Sequence, residues 1–292
     1  MNQNIFPVQQ EVIDLYDEYT HAPLPRRDFI RRLAMLLGST AAAYALLPVL
    51  ENNYVHAALV AENDQRISTE SIEFQGPSST LKAFLATPAA NSKKRGNVLV
   101  IHENRGLNAH IQDVARRVAL AGYNALALDF LSPLGGTPSN EDEARALFAK
   151  LDSVQSVANG RAAFAYLKAL PSSNGKLGCV GFCWGGAMVN NLAVFAPELS
   201  AAVSFYGMAP ELLVVAQIKA HLLLHYAGED ERINASRDAY EKALSANKIV
   251  FESFSYEGAQ HAFHNDTNSA RYNKKAAQLA WKRSLALFKR AL

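Results

Sequence analysis

KLGCVGFCWGG, residues 176–186, is an apolar run that closes on glycines flanking an aromatic residue and a cysteine. Its first part reads as a strand, and Gly181-Phe182-Cys183-Trp184-Gly185 has the G-x-S-x-G spacing with Cys183 in the serine's place. Glycines two residues before and after the central residue remove Cβ atoms where a strand and the helix after it must approach closely. A side chain at that helix start feels the positive end of the helix dipole, which favours thiolate over thiol. The backbone N–H of Trp184 is then one oxyanion donor. The spacing alone leaves Cys183 open between nucleophile and small apolar filler, whereas Cys179, inside the strand, fits the filler.

Outward from this turn, short apolar runs alternate with helical patterns. Strands are expected at 71–74, 81–87, 97–101, 124–128, 176–182, 201–206, 221–226 and 249–255, and helices at 111–121, 141–170, 185–195, 235–246 and 270–292. NVLVI, AAVSF and LLLHY are apolar at nearly every position, as strands covered on both faces require. The βα alternation predicts an α/β fold, a mostly parallel central sheet with helices on both faces. Chemistry in such sheets lies in the loops after the strand carboxyl ends. That rule selects His102-Glu103-Asn104-Arg105, Asp129, Cys183, Asp230 and His261.

The chain has 292 residues, 29 basic and 27 acidic, for a net charge of +2. This gives no global field for nucleic acid or anionic lipid, so a nucleic-acid partner is not expected. Cys179 and Cys183 are the two cysteines, too far apart along an extended strand, at roughly 13 Å, to pair. No local His/Cys/Asp spacing suits a metal, so neither metal nor cofactor is expected.

The N-terminal segment breaks from this pattern. Arg26-Arg27 precede Asp28, Phe29 and Ile30 in the manner of a twin-arginine export motif, and residues 33–50 are uncharged. Small residues at Val55-His56-Ala57, Ala58 and Ala61 offer a cleavage site. Residues 1–57 are therefore expected to be a leader and 58–292 a single domain, exported to the periplasm with the twin-arginine machinery as a transient partner. The competing expectation is a leader retained in the cytoplasm or as a membrane tether. The acidic stretch before the arginines is unlike a leader.

Cys183, Asp230 and His261 follow one another in the nucleophile–acid–histidine order of α/β-hydrolases, each just after a strand. Glu229 competes with Asp230, and His264 with His261. In this reading Asp230 orients His261, and His261 serves Cys183.

Residues from about 70 to 292 resemble the dienelactone hydrolase family, through VLVIHENRGLNAHIQDVARRVALAGYNALALDF, GFCWGG, SFYG at 204–207, LHYAGEDERI and HAFHND. The resemblance implies the α/β-hydrolase fold and a Cys183–Asp230–His261 triad. It also implies that Glu103 takes the thiol proton when substrate binds, and that a second oxyanion N–H lies near Asn104. Dienelactone-cleaving members hold the substrate carboxylate with arginines, one of them four residues after the triad histidine, where this chain has Asn265. Arg145 is the candidate for the other; Arg105 and Arg271 are alternatives that otherwise read as solvated surface residues. Tyr206, Phe263, Phe130 and Trp184 are candidate pocket aromatics, or else core. The expectation is a hydrolase of a small lactone, ester or thioester. The rival is a non-catalytic binding protein on the same fold.

Overall fold

The computed structural model describes residues 8–54, 58–89 and 93–292, so the expected cleavage site at 55–57 lies outside the described residues. Eight strands form one sheet: β1 (Ile67–Gln75), β2 (Thr80–Pro88), β3 (Arg95–Ile101), β4 (Asn124–Leu128), β5 (Ser173–Phe182), β6 (Ala201–Phe205), β7 (His221–Ala227) and β8 (Phe251–Tyr256). Their order is β1-β2-β4-β3-β5-β6-β7-β8. β2 pairs antiparallel with both β1 and β4, and every other pairing is parallel. All eight expected strands are present, and the sheet has the mostly parallel α/β-hydrolase arrangement.

Alternation along the central strands sends side chains into two cores. On β3, Val98 and Val100 enter one and Leu99 and Ile101 the other. The first is covered by α4 (Ala109–Leu120) and by α10 (Lys274–Ala291) near the C-terminus. The second is covered by α6 (Ser153–Ala169), α7 (Trp184–Phe195) and α9 (Arg237–Ala246). Each fully buried Leu, Val or Phe contributes about 1.5–3 kcal/mol relative to exposure. The helix expected over 141–170 is two, α5 (Glu141–Phe148) and α6, because the Asp152 carboxylate accepts the Gln155 N–H at 2.7 Å and starts a new helix.

The segment expected to be a leader is helical and packed. It comprises α1 (Gln10–His21), α2 (Arg26–Leu37) and α3 (Thr40–Leu50). The uncharged 33–50 run does not form one rod. Gly38, at φ 79°, ends α2, and the Ser39 hydroxyl accepts the Ala42 N–H at 3.1 Å to begin α3. The two helices are bent by 111°, and no single helix among the described residues is long and apolar enough to cross a membrane. Val12, Leu15, Tyr16, Tyr19, Phe29, Leu33, Leu47 and Leu50 form a third core, with the Tyr19 and Phe29 rings stacked 4.3 Å apart. This unit rests on the carboxyl ends of the sheet strands. Asn268 Nδ2 donates to the Leu50 carbonyl at 2.5 Å, Asn53 N–H to the Thr267 carbonyl at 2.8 Å, and Asn104 Nδ2 to the Thr20 carbonyl at 2.7 Å.

Candidate active site

The turn between β5 and α7 is tight for a reason visible in its neighbours. A Cβ on Gly181 would lie 2.2 Å from the Gly185 carbonyl oxygen, and one on Gly185 would lie 2.4 Å from the Ile101 carbonyl oxygen. Both obstacles are backbone and cannot move aside. Cys183 takes φ 55°, ψ −114°, a left-handed conformation that costs a β-carbon-bearing residue of order 1–3 kcal/mol. Its N–H is bonded to the Phe205 carbonyl at 3.0 Å, which holds the strained residue in place. The side chain is thereby lifted out of the strand at the start of α7, where the first helical N–H groups, Trp184's included, lack intrahelical partners.

The expected acid and histidine meet beside it. Asp230 follows β7 and His261 follows β8; His261 Nδ1–H donates to Asp230 Oδ2 at 2.5 Å, and both residues are buried. Burial opposes the Asp230 charge, but the His261 ring and its hydrogen bond outweigh it and hold the carboxyl below its usual range. With Nδ1 committed to the carboxylate, Nε2 faces the site, buried and without a hydrogen-bond partner in the protein. The rivals are elsewhere. Glu229 is exposed and accepts the Gly258 N–H. His264 is buried against Phe182, Phe205 and Trp281, and burial, with Arg117 nearby, keeps it neutral far below the usual histidine range.

Glu103 is buried at the end of β3. Its Oε2 accepts the Asn265 side-chain N–H at 2.8 Å, and Oε1 has no hydrogen-bond partner in the protein. Thus Asn265, four residues after His261, holds the Glu103 carboxylate. Glu103, Asn104, Cys183 and His261 share a small void of about 10 Å³.

The sequence reading missed His21. It ends α1, its Nε2 lies 3.1 Å from Cys183 Sγ, and its ring meets that of His261 edge-on at 4.7 Å. Asp17, one turn earlier, lies behind it: His21 Nδ1 is 2.9 Å from the Asp17 carbonyl and 3.2 Å from Asp17 Oδ1. Burial works against a charged His21, while the Cys183 sulfur and Asp17 raise its pKa. Asp17 is itself pulled well below the usual carboxylate range, against the effect of burial, by His261, His21 and Arg271. The one available signal was helical spacing, since Asp17 and His21 are four apart and face the same way. The donor atoms of His21, Cys183 and His261 all lie within 4.8 Å of one another. Local spacing could not reveal this convergence, because the three residues come from distant segments of the chain.

A cavity of about 870 Å³ opens beside Cys183, lined by Trp184, Phe148, Met208, Arg145, Arg232 and the 20–25 turn, among others. Arg145 crosses the Tyr19 ring at 4.1 Å, pairs with Asp142 at 3.6 Å, and keeps one buried guanidinium nitrogen unpartnered. The other two candidate arginines, Arg105 and Arg271, are not solvated surface residues. Arg105 is buried and donates to the Glu141 carbonyl at 3.2 Å, and Arg271 is buried over the Tyr16 ring at 4.9 Å. Phe263 is core, packed on Phe205, Tyr206 and Tyr256. Phe130 is also fully buried, and Tyr206 lies against the His261 ring with its hydroxyl unpartnered. None of these three lines the large cavity; Trp184 does.

The model of the Dienelactone hydrolase family matches residues 81–292, and a second, YqhI-like, matches residues 6–39. A Synechocystis protein named "Putative carboxymethylenebutenolidase" is 31% identical over 77% of this chain and 98% of its own length. The Escherichia coli "Putative hydrolase fragment YghX" is 46% identical over 38% of this chain and 96% of its own. Among solved structures, a "Putative Dienelactone Hydrolase" from Klebsiella pneumoniae superposes with a TM-score of 0.71 at 26% identity, over 76% of this chain and 98% of its own.

Proposed function

Because the chain belongs to the dienelactone hydrolase family and is a hydrolase, we propose that it cleaves a small ester, thioester or lactone through Cys183. The observation that carries the reading is the strained elbow, which presents Cys183 beside a histidine whose Nδ1 is committed to Asp230 and whose buried Nε2 faces the site unpaired. In this mechanism Sγ attacks the carbonyl carbon, and the oxyanion accepts hydrogen bonds from the Trp184 N–H and from backbone near Asn104. His261 Nε2 takes the thiol proton as Sγ attacks and gives it to the alkoxide, which leaves as an alcohol; His261 Nε2 then takes a proton from water as it attacks the acyl-thioester, and returns it to sulfur when the carbon–sulfur bond breaks. Glu103, in the same void with an unpartnered oxygen, is a second group able to receive the thiol proton.

The cavity's apolar walls suit the acyl or alcohol part of a substrate, and the free guanidinium nitrogen of Arg145 suits an anionic group on it. Asn265 is spent on Glu103, so the carboxylate clamp of dienelactone-cleaving members is incomplete here. This favours lactones and esters other than dienelactone.

A panel of lactones and p-nitrophenyl esters tests the reading. Wild type should turn over part of the panel, and Cys183→Ala should lose at least about 10³-fold in kcat/KM. Hydrolysis that survives Cys183→Ala would sink the nucleophile assignment, while a wild type inert on every substrate would favour the binding-protein reading. The burial of Phe29, Leu33 and Leu47 in a shared core supports retention of residues 10–50 with the enzyme, rather than their loss as an export leader. N-terminal sequencing of protein from fractionated cells decides this: a start near Ala58 would mark a cleaved leader.

A further inference from the structure

Cys183 faces a histidine that the hydrolase sheet does not supply. We propose that His21 is a catalytic residue that accepts the Cys183 proton directly, so that a helix outside the α/β-hydrolase domain arms the nucleophile and His261 is left to activate water. The proposal rests on the reading of Cys183 as the nucleophile.

Three observations carry it. The first is contact: Sγ to His21 Nε2 is 3.1 Å, within reach for a sulfur hydrogen bond. The second is polarity. Asp17 occupies the Nδ1 side of the ring through its carbonyl at 2.9 Å and its carboxylate at 3.2 Å, so Nδ1 carries the hydrogen and Nε2 is the acceptor toward Sγ. Asp17 is in turn within 3.5 Å of Arg232 and 3.7 Å of Arg271, which fix it from the body of the protein. The third is positioning. Val12, Leu15, Tyr16 and Tyr19 of α1 are buried, so the helix that carries His21 is docked by its own core. Meanwhile Glu103, the acceptor implied by the family resemblance, is tethered to Asn265, and the hydrogen bond of Sγ goes to His21.

The protons balance with two histidines. The thiol proton passes from Sγ to His21 Nε2, the thiolate attacks the carbonyl carbon, and the expelled alkoxide takes that proton from His21 and leaves as an alcohol. Water then adds to the acyl-thioester as His261 Nε2 removes one of its protons. Collapse breaks the carbon–sulfur bond, the acid departs, and the proton on His261 returns to sulfur. Each histidine keeps its own carboxylate throughout, Asp17 for His21 and Asp230 for His261. The charged and titratable groups facing His21 are Asp17 on its own helix and Cys183 and His261 across the site. Arg232 and Arg271 stand behind Asp17.

The test separates this role from the nucleophile assignment by using a readout independent of turnover. Cys183 in the full-length protein is alkylated with iodoacetamide across a pH series and mapped by mass spectrometry, with buried Cys179 as the internal control. His21→Gln should slow Cys183 alkylation at neutral pH about tenfold and move the half-maximal pH upward. It should also lower kcat/KM on an ester of the panel about 10²-fold. Both losses should exceed those of Glu103→Gln, and Asp17→Asn should show the same pattern in weaker form. Imidazole added to His21→Ala should restore part of the rate. An unchanged alkylation profile in both His21→Gln and Asp17→Asn, with circular dichroism showing both folded, overturns the proposal. So does a rise in turnover on replacing His21, which would make α1 a plug over the nucleophile. Loss of turnover in Cys183→Ala together with slowed alkylation in His21→Gln supports both readings; loss of turnover in Cys183→Ala with unchanged alkylation overturns the His21 role alone; survival of turnover in Cys183→Ala removes the nucleophile assignment and the His21 role with it.

Discussion

Two histidine–carboxylate pairs flank Cys183, and they are built in different ways. Asp230 and His261 are each placed by a strand, on adjacent members of a parallel sheet, and their hydrogen bond of 2.5 Å is fully enclosed. Asp17 and His21 share one helix at i,i+4, are both half-buried, and reach the site through the docking of a three-helix unit. The first pair is as rigid as the sheet. The second is as rigid as the packing beneath α1, so its contribution can be removed without disturbing a single strand.

The largest effect should come from the enclosed pair. Asp230→Asn leaves the shape of the site but lets His261 adopt the wrong tautomer, and kcat should fall by about 10³-fold or more with KM little changed. Steady-state kinetics on an active ester checks this, and a loss smaller than that of His21→Gln would reverse the ranking of the pairs. Next comes a substitution remote from sulfur. Phe29→Ala removes the ring stacked on Tyr19, at a cost of about 3–5 kcal/mol to the helical unit. Turnover should drop roughly tenfold or more, toward the His21→Gln value. Limited proteolysis should cut within residues 8–54 while the sheet domain keeps its melting temperature; a concerted loss of both would show that the two regions are one cooperative unit.

The smallest effect concerns the loop that carries His261 and Asn265. Asp266 lies 3.0 Å from His110 and 2.6 Å from Arg117. Burial works against its charge, but these two partners bring its pKa to about 2. A carboxylate depressed in the folded state stabilises above its unfolded pKa, about 4, and that contribution is lost as pH falls toward about 2. Discounted for partial exposure, Asp266→Asn should cost about 1 kcal/mol at pH 6 and almost nothing at pH 2. Urea midpoints across that range check it, and a cost independent of pH would refute the ion-pair account.

The legibility of the molecule follows the same division. The strands were readable because β3, β5, β6 and β7 each carry a short, mostly apolar run, and the turns between them are punctuated by glycine and polar residues. That Cys183, Asp230 and His261 meet was readable because the sheet brings successive strand ends together. Their rivals fell away for reasons of packing: His264 faces the core, and Glu229 faces solvent. The surroundings were harder. Arg105 and Arg271 read as surface charges because their partners, Glu141 and Tyr16, are remote in sequence. The break at Asp152 was hidden inside a continuous helical pattern. His21 was hidden most deeply, since an arginine pair followed by an uncharged run resembles a leader, and periodicity cannot say that Gly38 and Ser39 fold that run back on itself.

The turn joining α1 to α2 holds one more consequence. Thr20, His21, Ala22, Pro23, Leu24 and Pro25 line the 870 Å³ cavity together with Trp184 and Phe148. This turn belongs to no strand of the hydrolase fold, and its two prolines restrict the unfolded chain as well as the folded one. Substrate preference is therefore open to change by point substitutions at Thr20, Ala22, Pro23, Leu24 and Pro25, with His21, the elbow, the sheet register and the Asp230–His261 pair left untouched. A directed-evolution library confined to residues 20 and 22–25, with His21 kept, samples substrate shape at little risk to the geometry around Cys183.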